Sequence, residues 1–157
     1  AAAEELGWDA AIVGPGPGIL GSETRYGHGG MAALDAANAA VGLGLPVIVS
    51  PRMSATDPRP RHVGLSHHTR SVLELLLRPV AVPVPVDLDS LWPEAADPPP
   101  VGAIGRHPLI PREVDLDAYA ATGLPTRTMG RDLGEDRLFF AAPLAAGAAL
   151  GGAIGPR

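Results

Sequence analysis

The chain has 157 residues, 46% of them hydrophobic and 18% charged, which is enough apolar surface for one folded domain over residues 1–157. The formal net charge is −5. The chain has arginine but no lysine, and its arginines form no basic stripe or tail. Binding to nucleic acid or to an anionic membrane surface is therefore not expected. The lack of cysteine excludes disulfides and thiolate sites. With no recognisable signal peptide, a cytoplasmic location is the simplest expectation.

The first part of the chain alternates short apolar runs with a helix-forming stretch. Residues 9–13 (DAAIV) are typical of a buried strand that ends in a glycine–proline loop. The stretch MAALDAANAAVGLG predicts a helix that stops at Gly42 and Gly44. Residues 47–50 (VIVS) are short and β-branched, as in a strand covered on both faces. We expect this second strand to lie parallel to the first.

The middle of the chain predicts a long loop, a helix and an extended segment. Residues 51–65 have no periodicity, and loops of that length are usually functional or disordered. Ser66 is a plausible N-cap for a helix over SHHTRSVLELLLR. The helix should bury four side chains: Val72, Leu73, Leu76 and Leu77. Residues 79–86 (PVAVPVPV) alternate like a strand, but their prolines restrict them to an edge strand or an extended segment.

The last part continues the alternation of strands and helices. VGAIGRH and LIPREV are interpreted as short strands, and residues 115–122 as a helix closed by Gly123. Residues 124–129 predict a further strand. Residues 138–154 predict a buried or amphipathic helix, because Pro143 and the short apolar length argue against a membrane span. The whole pattern favours an α/β fold, a Rossmann-like three-layer sandwich with a mainly parallel sheet.

Such a sheet would bring three loops, residues 14–30, 51–66 and 130–135, to one edge, where open α/β sheets bind ligands. The unusual polar side chains concentrate in these loops: Ser22, Glu23, Thr24, Arg25 and His28 in the first; Arg52, Ser54, Asp57, Arg59, Arg61 and His62 in the second; Arg131 and Asp132 in the third. His67 and His68 follow in the first turn of the helix. This edge is the predicted site.

The arginines favour binding of a small anion, because planar guanidinium groups donate paired hydrogen bonds to phosphate or carboxylate. Arg25, Arg59 and Arg61 would hold the charge, and His62 or His68 would act as general acid or base. The further predicted ligand-binding residues are Thr24, His28, Arg52, Ser54, His67 and Arg131, with Asp57 beside the predicted catalytic histidines. Whether the domain is an enzyme stays open.

A second hypothesis is a metal-dependent hydrolase with a divalent ion. Its ligands would be His62, one of His67 and His68, and Asp57 or His28. Adjacent helix positions do not share a face, so His67 and His68 are not expected to reach one ion together. The glycine-rich loop lacks the spacing of a nucleotide-binding loop, and no G-x-S-x-G serine motif is present.

A third hypothesis is a non-catalytic binding or assembly domain. In that case Asp57 pairs with Arg59 or Arg61 to fasten the long loop, and His68 is a core histidine whose hydrogen bonds are satisfied. Its partner would be a separate N-terminal half or a second copy of the chain.

Four stretches carry a family resemblance: MSATDPRPRHVGLSHHT, GPGPGILGSETRYGHGG, RHPLIPREV and TMGRDLGEDRLFFAAPLAAG. Together they resemble the C-terminal half of a bacterial family known as domain of unknown function 3866. The resemblance implies a longer parent protein and no particular activity. Family members usually have GTGTR where residues 21–25 read GSETR, so Glu23 adds a carboxylate beside the predicted site.

Overall fold

The computed structural model describes residues 5–15, 21–22, 24–94, 96–97 and 103–155. Its helices are α1 (Met31–Gly42), α2 (His67–Leu75), α3 (Leu88–Leu91), α4 (Leu116–Ala121) and α5 (Arg137–Ile154), with a single 3₁₀ turn at Pro60–His62. Its strands are β1 (Met53–Ser54), β2 (Gly64–Leu65), β3 (Val82–Pro85), β4 (Ala103–Ile104), β5 (His107–Arg112), β6 (Arg127–Thr128) and β7 (Arg131–Asp132). Glu23 and most of the glycine–proline loop lie outside the described residues.

The strands form small sheets with only some parallel pairing. The largest has the order β3-β5-β4, in which β3 runs parallel to β5 and β4 runs antiparallel to it. The pairs β1-β2 and β6-β7 are both antiparallel. The mixed helix and strand content and some parallel pairing are as expected. A Rossmann-like sandwich is not confirmed.

The two predicted N-terminal strands have different outcomes. Residues 9–13 are exposed and form no strand, with Ile12 90% exposed. An apolar run becomes a strand only where a neighbour supplies hydrogen bonds and cover, and no described strand lies beside it. Residues 47–50 do pair, through a parallel bridge between Ile48 and Ala81. Their parallel neighbour is therefore the extension of β3.

The helix predicted to begin after Ser66 is confirmed. The Ser66 hydroxyl accepts a hydrogen bond from the backbone N–H of His68 at 3.2 Å, as an N-cap does. Helix α2 buries Val72 and Leu73, and Leu76 is buried just beyond it. Leu77 is 71% exposed, because the helix has already ended at Leu75. Its prediction as a core residue was wrong.

Strand β3 and helix α5 form the centre of the core. β3 is the edge strand of its three-stranded sheet, as its prolines favour, and the bridge to Ile48 is made at Ala81, just before β3 begins. All four residues of β3 are buried. Helix α5 packs on β1, β3 and β5, with Leu138 and Ala142 fully buried. Pro143 lies within α5 but on its exposed side, where the carbonyl it leaves unpaired can be hydrated.

Helix α5 is also the one helix, among the residues the structure describes, with the length and composition of a membrane span. Its residues are 39% buried inside the protein, including Phe140 and Ala141. A core helix passes the same test of length and composition, and burial against the sheet is the arrangement expected of one.

Near the C-terminus, α4 begins as predicted. The Asp115 carboxylate accepts a hydrogen bond from the Ala118 N–H at 2.8 Å, and Gly123 follows the helix in a left-handed conformation. The strand expected over residues 124–129 is shorter, because Met129 and Gly130 make the tight turn between β6 and β7.

Candidate functional site

Asp57 lies at the centre of three arginines, here called the arginine cluster: Arg52, Arg59 and Arg131. Its side chain is completely buried and accepts two hydrogen bonds from the Arg59 guanidinium, each at 2.9 Å. Arg52 donates a third at 3.2 Å, and the Arg131 guanidinium lies 3.5 Å away. Burial alone would raise the pKa of Asp57, but the bonds from Arg59 outweigh it and hold that pKa well below its usual range.

Asp136 joins the arginine cluster to the strands and to α5. Its buried carboxylate accepts hydrogen bonds from the Ser54 hydroxyl at 2.5 Å, from the Ala55 N–H at 2.8 Å and from Nε of Arg131 at 3.0 Å. Ser54 in turn accepts one from the Asp57 N–H at 2.9 Å. The β1 loop and the β7 hairpin are thereby fastened to the start of α5.

We expect Ser54→Ala to lower the free energy of unfolding by about 1 to 2 kcal/mol, because it leaves the buried N–H of Asp57 without its partner and removes one of the two hydrogen bonds that Oδ2 of Asp136 accepts. Urea unfolding measures the change. Ser90→Ala, which removes an exposed hydroxyl bonded to the Asp87 carbonyl, is the matched control. An equal loss in both variants would contradict the assignment.

The arginine cluster retains unused donors. Nε of Arg52 and Nη2 of Arg131 are buried and make no hydrogen bond within the described residues. Arg61 is exposed and has neither a hydrogen bond nor an ion pair in that part of the chain. Three guanidinium groups, those of Arg52, Arg59 and Arg131, therefore share two carboxylates, Asp57 and Asp136.

Beside the arginine cluster lies a second group, the histidine cluster: His28, His62, His67 and His68. The rings of His28 and His68 are stacked with centroids 4.0 Å apart, and those of His67 and His68 are 4.3 Å apart. The His62 ring lies 4.9 Å from His67 and 4.8 Å from His68. One nitrogen from each of His28, His67 and His68 lies within 4.8 Å of the other two.

Three local features hold the histidine cluster in place. The N-cap Ser66 lies 2.8 Å from Nδ1 of His62, so it fixes that ring as well as the start of α2. Side chains in a helix lean toward its N-terminus, which carries His67 and His68 toward His28. Gly30 lies against His28, since a methyl group there would stand 2.9 Å from Nδ1 of that ring.

The pKa of each histidine in the histidine cluster is lowered, which favours the neutral form of the rings. Burial, with Arg52 as the next cause, lowers the pKa of His62 to about 4, and burial together with His28 lowers the pKa of His68 to about 3. Burial is also the main cause of the lowered pKa of His28 and His67. Neutral imidazole can bind a metal ion or accept a proton, but it cannot serve as a proton-loaded acid.

A family model described as Protein of unknown function (DUF3866) matches residues 1–147. The chain belongs to this family. The match covers nearly the whole chain and does not support the narrower expectation of a bacterial C-terminal half. No curated protein and no solved structure matched the chain.

In this DUF3866 chain, most of the predicted site residues are brought together. Those that meet in the two clusters or bond directly to them are His28, Arg52, Ser54, Asp57, Arg59, His62, His67, His68 and Arg131. Two others do not: Arg25 donates to Glu74 at 2.5 Å, and Thr24 bonds to Ser22 at 2.7 Å. The positive charge of Arg61 contributes to the lowered pKa of His28 and of His67.

One expectation about individual contacts is met and one needs correction. Asp57 pairs with Arg59, one of the two expected alternatives, and also with Arg52 and Arg131. The rings of His67 and His68 do approach a common point, because no preceding turn of helix obstructs them at the start of α2.

Sequence reasoning also missed two residues of the site, Asp136 and Ser66, as contacts of the clusters. Both are buried helix N-caps that also bond to site side chains. The Asp136 side chain makes no cap hydrogen bond and instead joins Ser54 and Ala55, which are about eighty residues away and leave no local signal. Ser66 is visible as an N-cap, but its contact with His62 depends on the fold of the loop between them.

Proposed function

We propose that this DUF3866 domain binds a small anion, phosphate- or carboxylate-bearing, at the arginine cluster and Arg61. The observation that carries the proposal is the buried Nε of Arg52, which has no acceptor among the described residues. Nη2 of Arg131 is also buried without a hydrogen bond there, and its ion pair with Asp57 is long, at 3.5 Å. Buried polar groups normally have a hydrogen-bond partner, and an exception in a polar cluster points to a missing ligand or ion.

Asp57 has an organising role in this proposal. It fixes three flexible arginine side chains in one place, which lowers the entropy cost of binding an anion. The side chains of Arg52 and Arg59 remain 26% and 41% exposed, so an anion can reach them from solvent. Planar guanidinium groups suit the paired oxygens of phosphate and carboxylate.

The domain can be an enzyme if the bound anion reacts. His62 and His68 were predicted as acid or base, and their lowered pKa leaves the basic form at neutral pH. A base of such low pKa is weak, so proton transfer alone would give limited acceleration.

Inorganic phosphate is the simplest probe. At a concentration one hundred times its Kd, it should stabilise the protein by about 2.7 kcal/mol. We expect thermal unfolding in a chelator-containing buffer to shift upward with phosphate at constant ionic strength. The shift should fall in Arg61→Ala and disappear in the double variant Arg59→Ala and Arg61→Ala.

Arg78→Ala is the matched control, because Arg78 is exposed and has no hydrogen bond within the described residues. It should keep the full phosphate shift. Equal shifts in Arg61→Ala and Arg78→Ala, or no shift in the unmodified protein with phosphate or with a small dicarboxylate, would contradict the proposal and favour an assembly domain.

A further inference from the structure

We infer that His28, His67 and His68 form a site for one divalent transition-metal ion, in the first place Zn²⁺. The three side chains come from the turn before α1 and from the first turn of α2, so two distant segments of the chain meet at this point. Their potential ligand nitrogens all lie within 4.8 Å of one another. The inference goes beyond anion binding and does not depend on it.

The donor set fits such an ion. Imidazole nitrogen is a preferred ligand of zinc, copper, iron and nickel, and three histidines with an open fourth position form a known type of zinc site. With Zn–N distances of about 2.0 to 2.1 Å, tetrahedral ligand nitrogens stand about 3.3 Å apart. Closing from 4.8 Å shortens a nitrogen–nitrogen separation by at most about 1.5 Å, shared between two side chains, which side-chain rotations can supply.

Packing alone does not explain the histidine cluster. Both nitrogens of His28, together with Nε2 of His62 and Nε2 of His67, are buried and have no hydrogen bond within the described residues. Stacked rings gain contact area, but each neutral imidazole still presents one donor and one acceptor that should be satisfied. His107, by contrast, is a buried histidine with both nitrogens satisfied. Its Nε2 lies 2.7 Å from the Leu73 carbonyl, and its Nδ1 accepts a hydrogen bond from the Val80 N–H.

The neighbours of the three histidines define the ion's surroundings. Asp57 is occupied by arginines, so the ligand set expected from the sequence, with Asp57 as an option, is replaced by three nitrogens. The His62 ring lies 4.9 Å from His67 and 4.8 Å from His68, and its Nε2 is buried without a hydrogen bond, so it can bond to a water or anion in the open position.

The neighbouring arginine cluster indicates which class of reaction a bound ion would support, namely hydrolysis of an anionic ester. An ion with an open position can activate water beside an anion held by Arg52, Arg59 or Arg61. In the corresponding hydrolysis the water oxygen bonds to phosphorus or to a carbonyl carbon. The ester bond breaks, and the alcohol leaves with a proton from the water.

Isothermal titration calorimetry with ZnCl₂ tests the site. The full chain, free of any histidine tag, is first stripped with a chelator and then dialysed into a chloride buffer without phosphate. We expect one Zn²⁺ per chain. His67→Ala and His68→Ala should each weaken binding by about a hundredfold, the upper end of what loss of a supporting contact already costs.

Asp35→Asn is the control, because it neutralises an exposed carboxylate on α1 and should leave Zn²⁺ affinity unchanged. Gly30→Ala is a second test variant: it keeps every histidine but places a methyl group against His28, and it should bind Zn²⁺ less tightly.

The inference is overturned if the unmodified chain takes up no stoichiometric zinc. It is also overturned if the folded His67→Ala, His68→Ala and Gly30→Ala proteins all retain its affinity. A failure here leaves the phosphate experiment, done in chelator, unaffected.

Discussion

Asp57→Ala is expected to lower the free energy of unfolding by about 3 kcal/mol, because three arginines would then lie together without their shared buried carboxylate. We expect this loss of stability to be at the low end of the range for buried ion pairs, because Arg59 and Arg52 are partly exposed and can be solvated. Urea unfolding at pH 7 in chelator measures it.

Two comparisons make the Asp57 experiment specific. Asp35→Ala removes an exposed carboxylate from the middle of α1 and should change stability by less than about 0.5 kcal/mol. Asp57→Asn keeps the shape but loses the charge and should fall between the two. A folded Asp57→Ala protein as stable as Asp35→Ala would show that Asp57 does not hold the arginine cluster together.

Acidification should destabilise the metal-free protein well before the carboxylates titrate. The pKa of His62 is lowered to about 4 and that of His68 to about 3, whereas an unfolded histidine titrates near 6.5. Between these values the unfolded chain binds more protons than the folded one, so stability is complete above about pH 6.5 and falls as the pH drops. At pH 5 each of the two histidines should account for a loss of about 2 kcal/mol.

The free energy of unfolding, measured in urea at pH 7.5 and at pH 5 in chelator, tests this dependence. His68→Gln should reduce the difference in unfolding free energy between the two pH values, because one of the four histidines with a lowered pKa is gone. Equal stability at both pH values, or higher stability at pH 5, would mean that these rings are not buried in neutral form.

The helices could be predicted because their signals are local. Ser66 and Asp115 cap the helices they were expected to start, and Gly42 and Gly123 lie where the helices α1 and α4 end. The 3.6-residue period also placed Val72 and Leu73 inside. Such features depend on a few consecutive residues.

The sheets could not be predicted in the same way, because strand pairing joins distant segments. Residues 9–13 carry the composition of a buried strand but lie in solvent, and Met53 pairs antiparallel with Leu65 inside what was read as one long loop. Runs of two to six residues hold too little pattern to fix a partner or a direction.

The meeting of the polar loops was predicted for a partly wrong reason. Arg131 reaches Asp57 through the β6-β7 hairpin and Asp136, and His28 reaches His68 across the start of α2, so neither contact needs an edge of a parallel sheet. Arg25 belonged to the expected edge but pairs with Glu74. The sequence therefore indicated which polar residues would form the site, but their individual contacts could be known only from the folded structure.

The central claim is that the histidine cluster and the arginine cluster serve one site. It is tested most directly by loading the stripped chain with Co²⁺ and recording the visible spectrum of the ion while inorganic phosphate is added. We predict a saturable change in the Co²⁺ bands that is weakened in Arg61→Ala and kept in Arg78→Ala. A Co²⁺ spectrum that stays the same at phosphate concentrations that stabilise the protein would show that the two clusters work separately.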